Sequence, residues 1–167
     1  MTTDIDASFE AFKQGNINQS LLLRHEAPSY KYETLKGNKS IRLLIIQPDF
    51  ITTPQNLVLL QCDLIHTSLG EIKGDHDELS YTALSYVWGD YSRKGQVMIG
   101  DHGLLIGENL LSALYHLRDR AKPTTVWADG ICINQSDLQE RSQQVRQMHR
   151  IYAVSYTHLT LPTKRIV

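Results

Sequence analysis

Few side chains in this 167-residue sequence stand at spacings that support chemistry. The seven histidines, at positions 25, 66, 76, 102, 116, 149 and 158, include no pair three or four apart, and Cys62 and Cys132 form no CxxC, so zinc-ligand spacing is absent. Asp75-His76-Asp77-Glu78 gathers acid but lacks the alternating ligands and glycine of a calcium loop, and reads as a solvated loop. Nucleophilic attack by Cys132 needs a histidine brought to it through space; set between Ile131 and Ile133, the thiol reads more plainly as buried in a strand. Ser85 lies in Leu84-Ser85-Tyr86 and not in a Gly-x-Ser-x-Gly elbow, and no glycine-rich run opens a helix as a phosphate loop does.

What remains is a polar cluster at segment ends: Gly89-Asp90, Asp129, Asn134-Gln135 and Glu140. In an α/β sheet, ligands sit outside the carboxyl ends of strands and against helix amino termini. A carboxylate placed there can steady a developing oxocarbenium cation, as when a glycosidic bond to a ribose breaks. Acid in the first turn of a helix is also ordinary capping, and the pattern alone leaves both readings open.

The elements that position these residues follow from periodicity. Residues 1–39 are polar and mixed and read as a loosely ordered leader. Ile41–Ile46 reads as a strand closed by Gln47-Pro48-Asp49, Leu57–Leu64 as a half-buried strand, and Tyr81–Trp88 as a third. Gln96–Ile99 and Leu104–Ile106 flank a glycine-bearing connection, as a hairpin would. Ile106, Leu110, Leu114 and Leu117 step at helical spacing, Pro123 forbids continuation, and Val126-Trp127-Ala128 resumes as a strand leading into Ile131-Cys132-Ile133. Ser136 with Gln139 fits a capping box for a helix running to about Ala153. On that helix Leu138, Val145, Met148 and Tyr152 form an apolar stripe, with Glu140, Gln144 and Gln147 on a different, polar face. Together these elements predict an α/β domain, a mixed sheet with flanking helices.

Composition narrows the setting. Lys and Arg number 17 against 18 Asp and Glu, a formal net charge of −1, which argues against a chain-wide nucleic-acid-binding surface. Apolar runs such as Leu57–Leu60 fall far short of the ~20 residues that cross a bilayer, so no membrane span is expected. The opening MTTDIDASFE carries acid where a secretory signal carries base, and a cytoplasmic address is expected. Residues 154–167 break the helical period, contain no acid and resemble translated sequencing adapter; they are expected to be a non-native tail.

Two segments resemble a known family. Tyr81-Thr82-Ala83-Leu84-Ser85-Tyr86-Val87-Trp88-Gly89-Asp90 is similar to the opening signature of the fungal heterokaryon incompatibility (HET) domain. Trp127-Ala128-Asp129-Gly130-Ile131-Cys132-Ile133-Asn134-Gln135-Ser136-Asp137-Leu138-Gln139-Glu140-Arg141, continuing through Met148 and Ile151-Tyr152, is similar to its second. With Ile41–Leu44 and Asn109-Leu110, the likeness spans residues 40–153, a partial HET domain whose later strand is missing.

The resemblance implies nonself recognition between fungal cells and programmed cell death. It also implies a distantly TIR-like, incomplete fold, and some TIR domains cleave NAD with a glutamate. Carried over, Glu140 becomes the catalytic carboxylate, and Ser85, Trp88, Asp129, Asn134 and Arg141 the residues that bind NAD as substrate, with no separate cofactor. The alternatives are a non-enzymatic death-signalling module working through protein partners or self-association, and an inert truncated fragment.

Overall fold

A computed structural model describes residues 26–54, 57–72, 80–90, 92, 94–155 and, for the backbone alone, 157–160. The elements run β1 (Ser40–Thr52), β2 (Val58–Ser68), β3 (Thr82–Ser85), β4 (Lys94–Ile99), β5 (His102–Gly107), α1 (Glu108–Leu117), β6 (Thr124–Trp127), α2 (Asp129–Cys132), α3 (Leu138–Val154) and β7 (Thr157–Thr160). Among these residues one seven-stranded sheet has the order β5-β4-β2-β1-β6-β3-β7. β1 pairs antiparallel with β2 and β6, and β4 with β5, whereas β2/β4, β3/β6 and β3/β7 are parallel. The expected mixed α/β sheet with flanking helices is thus the observed one.

β1 is the central strand, and it shows in the burial: Ile41, Arg42, Leu43 and Leu44 are all fully enclosed. A strand covered on both faces reads as a continuous apolar run, as Ile41–Ile46 does apart from Arg42. The strand does not stop at Pro48. Its register against β2 shifts between Ile46 and Phe50, and the proline sits inside that irregularity, where no ladder hydrogen bond is required of it. The hairpin turn is tighter than expected. Only Gly100 and Asp101 separate β4 from β5, and Gly100 takes φ +57°, which a residue with a Cβ adopts only under strain.

Other boundaries also move. Ile106, expected to open the helical stripe, belongs to β5; α1 buries Leu110, Leu111, Ala113 and Leu114. Leu111 lies over Gly95 of β4, where any Cβ would collide with it. The strand expected over residues 131–133 is absent. Asp129–Cys132 form a single helical turn, α2, after which the chain returns to extended geometry at Ile133. The cap of α3 is Asp137 and not Ser136: its carboxylate accepts from the N–H groups of Gln139 and Glu140, both at 3.0 Å. An ionised acceptor at the positive end of a helix satisfies two orphan donors at once, and the Ser136 N–H is taken by Asn134 Oδ1.

Of the expected leader, residues 1–25 lie outside the described residues. Of residues 26–39, Pro28–Tyr30 lie beside Gly103 of β5, with Tyr30 N–H donating to Gly103 O and Gly103 N–H to Pro28 O, both at 2.9 Å. Thr157–Thr160, inside the segment expected to be non-native, extend the sheet beside β3 through main-chain bonds, which every non-proline residue can supply.

Candidate functional site

Because β3 and β6 are parallel, their carboxyl ends open on the same edge of the sheet, and the chain leaving each carries a candidate residue. Beyond β3 come Tyr86 and Trp88, both half-buried; beyond β6 comes Asp129, the first residue of α2. Trp88 Nε1 donates to Asp129 Oδ2 at 3.1 Å, and the Tyr86 hydroxyl bonds the same carboxylate. Gly130 permits this approach, since a Cβ there would collide with the Tyr86 hydroxyl. The loop is held from behind by Asn109, whose amide donates to Val87 O at 3.0 Å and lies against Gly89. Gly89 has φ +73°, so glycine is required there for conformation as well as space. Exposed Ser85 meets Tyr152 of α3, whose hydroxyl also donates to Leu84 O at 3.3 Å.

The electrostatics of this edge follow from burial. Desolvation lifts the Asp129 carboxyl above the usual carboxylate range, against the Trp88 and Tyr86 hydrogen bonds, which pull it down. The Tyr86 phenol is pushed up, first by its own burial and then by the neighbouring Asp129 charge. The Cys132 thiol, fully enclosed, is pushed up to about 12 by desolvation, so it stays protonated at neutral pH and makes a poor nucleophile.

Glu140, Asn134 and Arg141 stand elsewhere. Arg42, fully buried in β1, donates from Nη1 to Glu140 Oε1 at 2.6 Å and from Nη2 to Glu140 Oε2 at 3.0 Å, a bidentate pair. The same guanidinium reaches Cys132 O at 3.2 Å and Glu33 O at 2.6 Å, and it lies 4.9 Å from the centroid of the Tyr32 ring. Tyr32 in turn donates to Ile131 O at 2.8 Å. Glu140 Oε1 also accepts the Asn134 N–H at 2.8 Å, so both carboxylate oxygens are engaged. Arg141 is exposed on α3.

α3 is therefore turned about its axis from the sequence expectation. Its inward residues are Glu140, Gln144, Gln147 and Ile151, with both glutamine amides donating to Ser40 O at 2.9 and 3.3 Å. Leu138 and Val145, half of the expected core stripe, are 66% and 55% exposed, while Met148 and Tyr152 do pack on the core. The balance of magnitudes explains this. Leu138 and Val145 are already partly covered, so burying the rest of both would gain together about 2–4 kcal/mol, whereas leaving the buried guanidinium without its carboxylate costs about 3–5 kcal/mol. Arg42 decides which face turns inward.

The structure thus brings Ser85, Trp88 and Asp129 to one sheet edge and holds Glu140 and Asn134 in a separate network behind α2. The two are joined by Gln135, whose amide donates to Asp129 O at 2.8 Å. Sequence reasoning missed Arg42, Tyr32, Tyr86 and Asn109. Arg42 had a signal, a lone cation in an apolar strand; Tyr86 and Asn109 stand in the segments that carry the family likeness, and Tyr32 had no signal. An open groove of about 840 Å³, lined in part by Lys36, Lys39, His66 and Glu71, holds none of the candidates. Among the described residues no group of three His, Cys, Asp or Glu is placed to hold a metal ion, and no helix is long and apolar enough to cross a membrane.

Residues 81–164, about half of the chain, match the family model described as Heterokaryon incompatibility protein (HET). The chain is 38% identical over 90 residues to "Heterokaryon incompatibility protein 6, OR allele" of Neurospora crassa. That match takes in 46% of this chain and 13% of the relative's length. No solved structure matches.

Proposed function

The chain belongs to the heterokaryon incompatibility (HET) family, and from that premise we propose that it serves fungal nonself recognition as an interaction module of the cytoplasm, acting through protein partners or further copies of itself. The observation that carries this reading is the engagement of Glu140. A carboxylate that is to steady a ribosyl cation must face space a substrate can enter, and this one is 7% exposed, with both oxygens committed to Arg42 and the Asn134 N–H. Its role is to fix α3 on the sheet.

A second reading, TIR-like cleavage of NAD, is favoured by a different observation. Ser85, Trp88 and Asp129 gather at the carboxyl ends of parallel strands, where ligands enter α/β sheets, and Asp129 is the carboxylate that Trp88 bonds there.

The two separate on one experiment: expression of the chain in fungal cells with viability and NAD followed together. Loss of viability with an unchanged NAD pool is the expected result. NAD falling ahead of viability, and spared by Asp129→Asn, would transfer the function to the second reading. Cells that grow normally would mark the chain as inert and overturn both.

A further inference from the structure

The side of α3 turned away from the sheet is cationic along its length. Arg141, Ser142, Arg146, His149 and Arg150 are all exposed there, around the helix from the inward row of Glu140, Gln144, Gln147 and Ile151. The helix's only carboxylate, Glu140, is spent on Arg42, so no acid stands three or four positions from Arg146 or Arg150 to pair with either. Among the described residues no ion pair or side-chain hydrogen bond engages Arg141, Arg146 or Arg150.

Helix stability does not account for this charge. None of the three arginines lies in the last turn, where the helix dipole favours a cation. Arg146 and Arg150, four positions apart, repel one another in the free chain, a cost that an anionic partner would relieve. The remainder of the chain is net negative, since the whole carries a formal charge of −1 and α3 holds three arginines against one glutamate.

The residue types narrow the partner. Arginine pairs bidentately with a carboxylate and is enriched at protein interfaces, where lysine is depleted. Arg146 and Arg150 stand about 6 Å apart along the helix axis, which matches carboxylates four positions apart on a helix or two apart on a strand. Exposed Val145 adjoins Arg146 and offers an apolar contact that a polypeptide side chain fills and a phosphate backbone does not. Ser142 and His149 interrupt the exposed aliphatic residues, so the face lacks the continuous apolar band of a helix that enters a membrane surface.

We propose that the outer side of α3 is the docking surface for an acidic segment of a partner protein, its carboxylates paired with Arg146 and Arg150 and an apolar side chain set against Val145. This names the partner chemistry of the interaction module and rests on that reading. Binding weakens as salt rises, because the paired charges are solvent-facing.

The test is fluorescence anisotropy on the full chain with a labelled peptide of glutamates interspersed with leucines, and with counterparts carrying glutamine or lysine in place of glutamate. The parent should bind the glutamate peptide at least about tenfold more tightly than the glutamine one. Arg146→Gln/Arg150→Gln should weaken that binding about five- to tenfold, and Arg146→Glu/Arg150→Glu should shift the preference to the lysine peptide. Lys36→Glu/Lys39→Glu, which removes an exposed cationic pair elsewhere, should bind as the parent does. An unchanged thermal midpoint confirms folding in each variant. Equal binding of the glutamate and glutamine peptides overturns the proposal, as does an equal loss in the Lys36/Lys39 variant. Tighter binding to phosphatidylserine vesicles or duplex DNA, lost on Arg146→Gln/Arg150→Gln, gives the face to a membrane or a nucleic acid and overturns it. A dimer in sedimentation that the same variant dissolves gives it to a second copy and likewise overturns it. Failure here is distinct from failure of the parent reading, which is decided by viability and NAD with α3 unaltered.

Discussion

Removing the Glu140 side chain tests the central physical claim, that this carboxylate holds the fold together. Glu140→Ala leaves the fully buried Arg42 guanidinium with only the Cys132 and Glu33 carbonyls, and leaves the Asn134 N–H without its acceptor. Breaking one side of a buried ion pair costs about 3–5 kcal/mol, and domains of this kind have only about 5–15 kcal/mol of stability in total. At roughly 2–4 °C per kcal/mol for a chain of this length, the midpoint of thermal unfolding should fall by about 10–15 °C. Glu140→Gln keeps the shape and one acceptor oxygen and should lose distinctly less. The cycle is completed by Arg42→Met and Arg42→Met/Glu140→Ala. The double variant removes both charges, so it should be more stable than the sum of the single losses by about 1–3 kcal/mol. The assay is near-ultraviolet circular dichroism during heating and in urea, which reports the environment of the buried Trp127. A Glu140→Ala protein that melts within about 2 °C of the parent would refute the reasoning, being less than the ~1 kcal/mol that even a surface pair can lose.

Further expectations concern titration and reactivity. Since burial raises the Asp129 carboxyl, the native state holds that proton to higher pH than the unfolded chain does, and stability should decline as pH rises from the ordinary carboxylate range through the raised native value. Asp129→Asn should remove that decline while keeping the Trp88 hydrogen bond, and urea titrations across the acid range that show parallel curves for the two proteins would contradict it. Burial pushes both the Cys62 and Cys132 thiols up to about 12, so iodoacetamide at pH 8 should leave the native protein unmodified and label both once it is unfolded. Rapid labelling of the folded chain, read by mass spectrometry, would count against the enclosure described for them.

The sequence alone determined most of the element types and the family, though not the helical turn at Asp129–Cys132. Local periodicity separates the apolar run of β1, the hairpin of β4 and β5 and the stripe of α1, and the two long motifs around Trp88 and Cys132 carry the family likeness, because those features depend on residues near one another in the chain. Tertiary structure decided the orientation of α3 and the fate of its polar face. Glu140 and Arg42 are 98 positions apart, and no window along the chain shows that an apolar strand's single guanidinium will claim a helix's single carboxylate. Helical spacing correctly separated Leu138 and Val145 from Glu140, Gln144 and Gln147, but spacing says only which residues share a face. Which face turns inward is settled by the larger desolvation cost, and a buried charge outweighs two exposed aliphatic side chains. The meeting of Trp88, Tyr86 and Asp129 likewise depends on β3 and β6 lying parallel and adjacent, a pairing between segments some 40 residues apart that only the assembled sheet specifies.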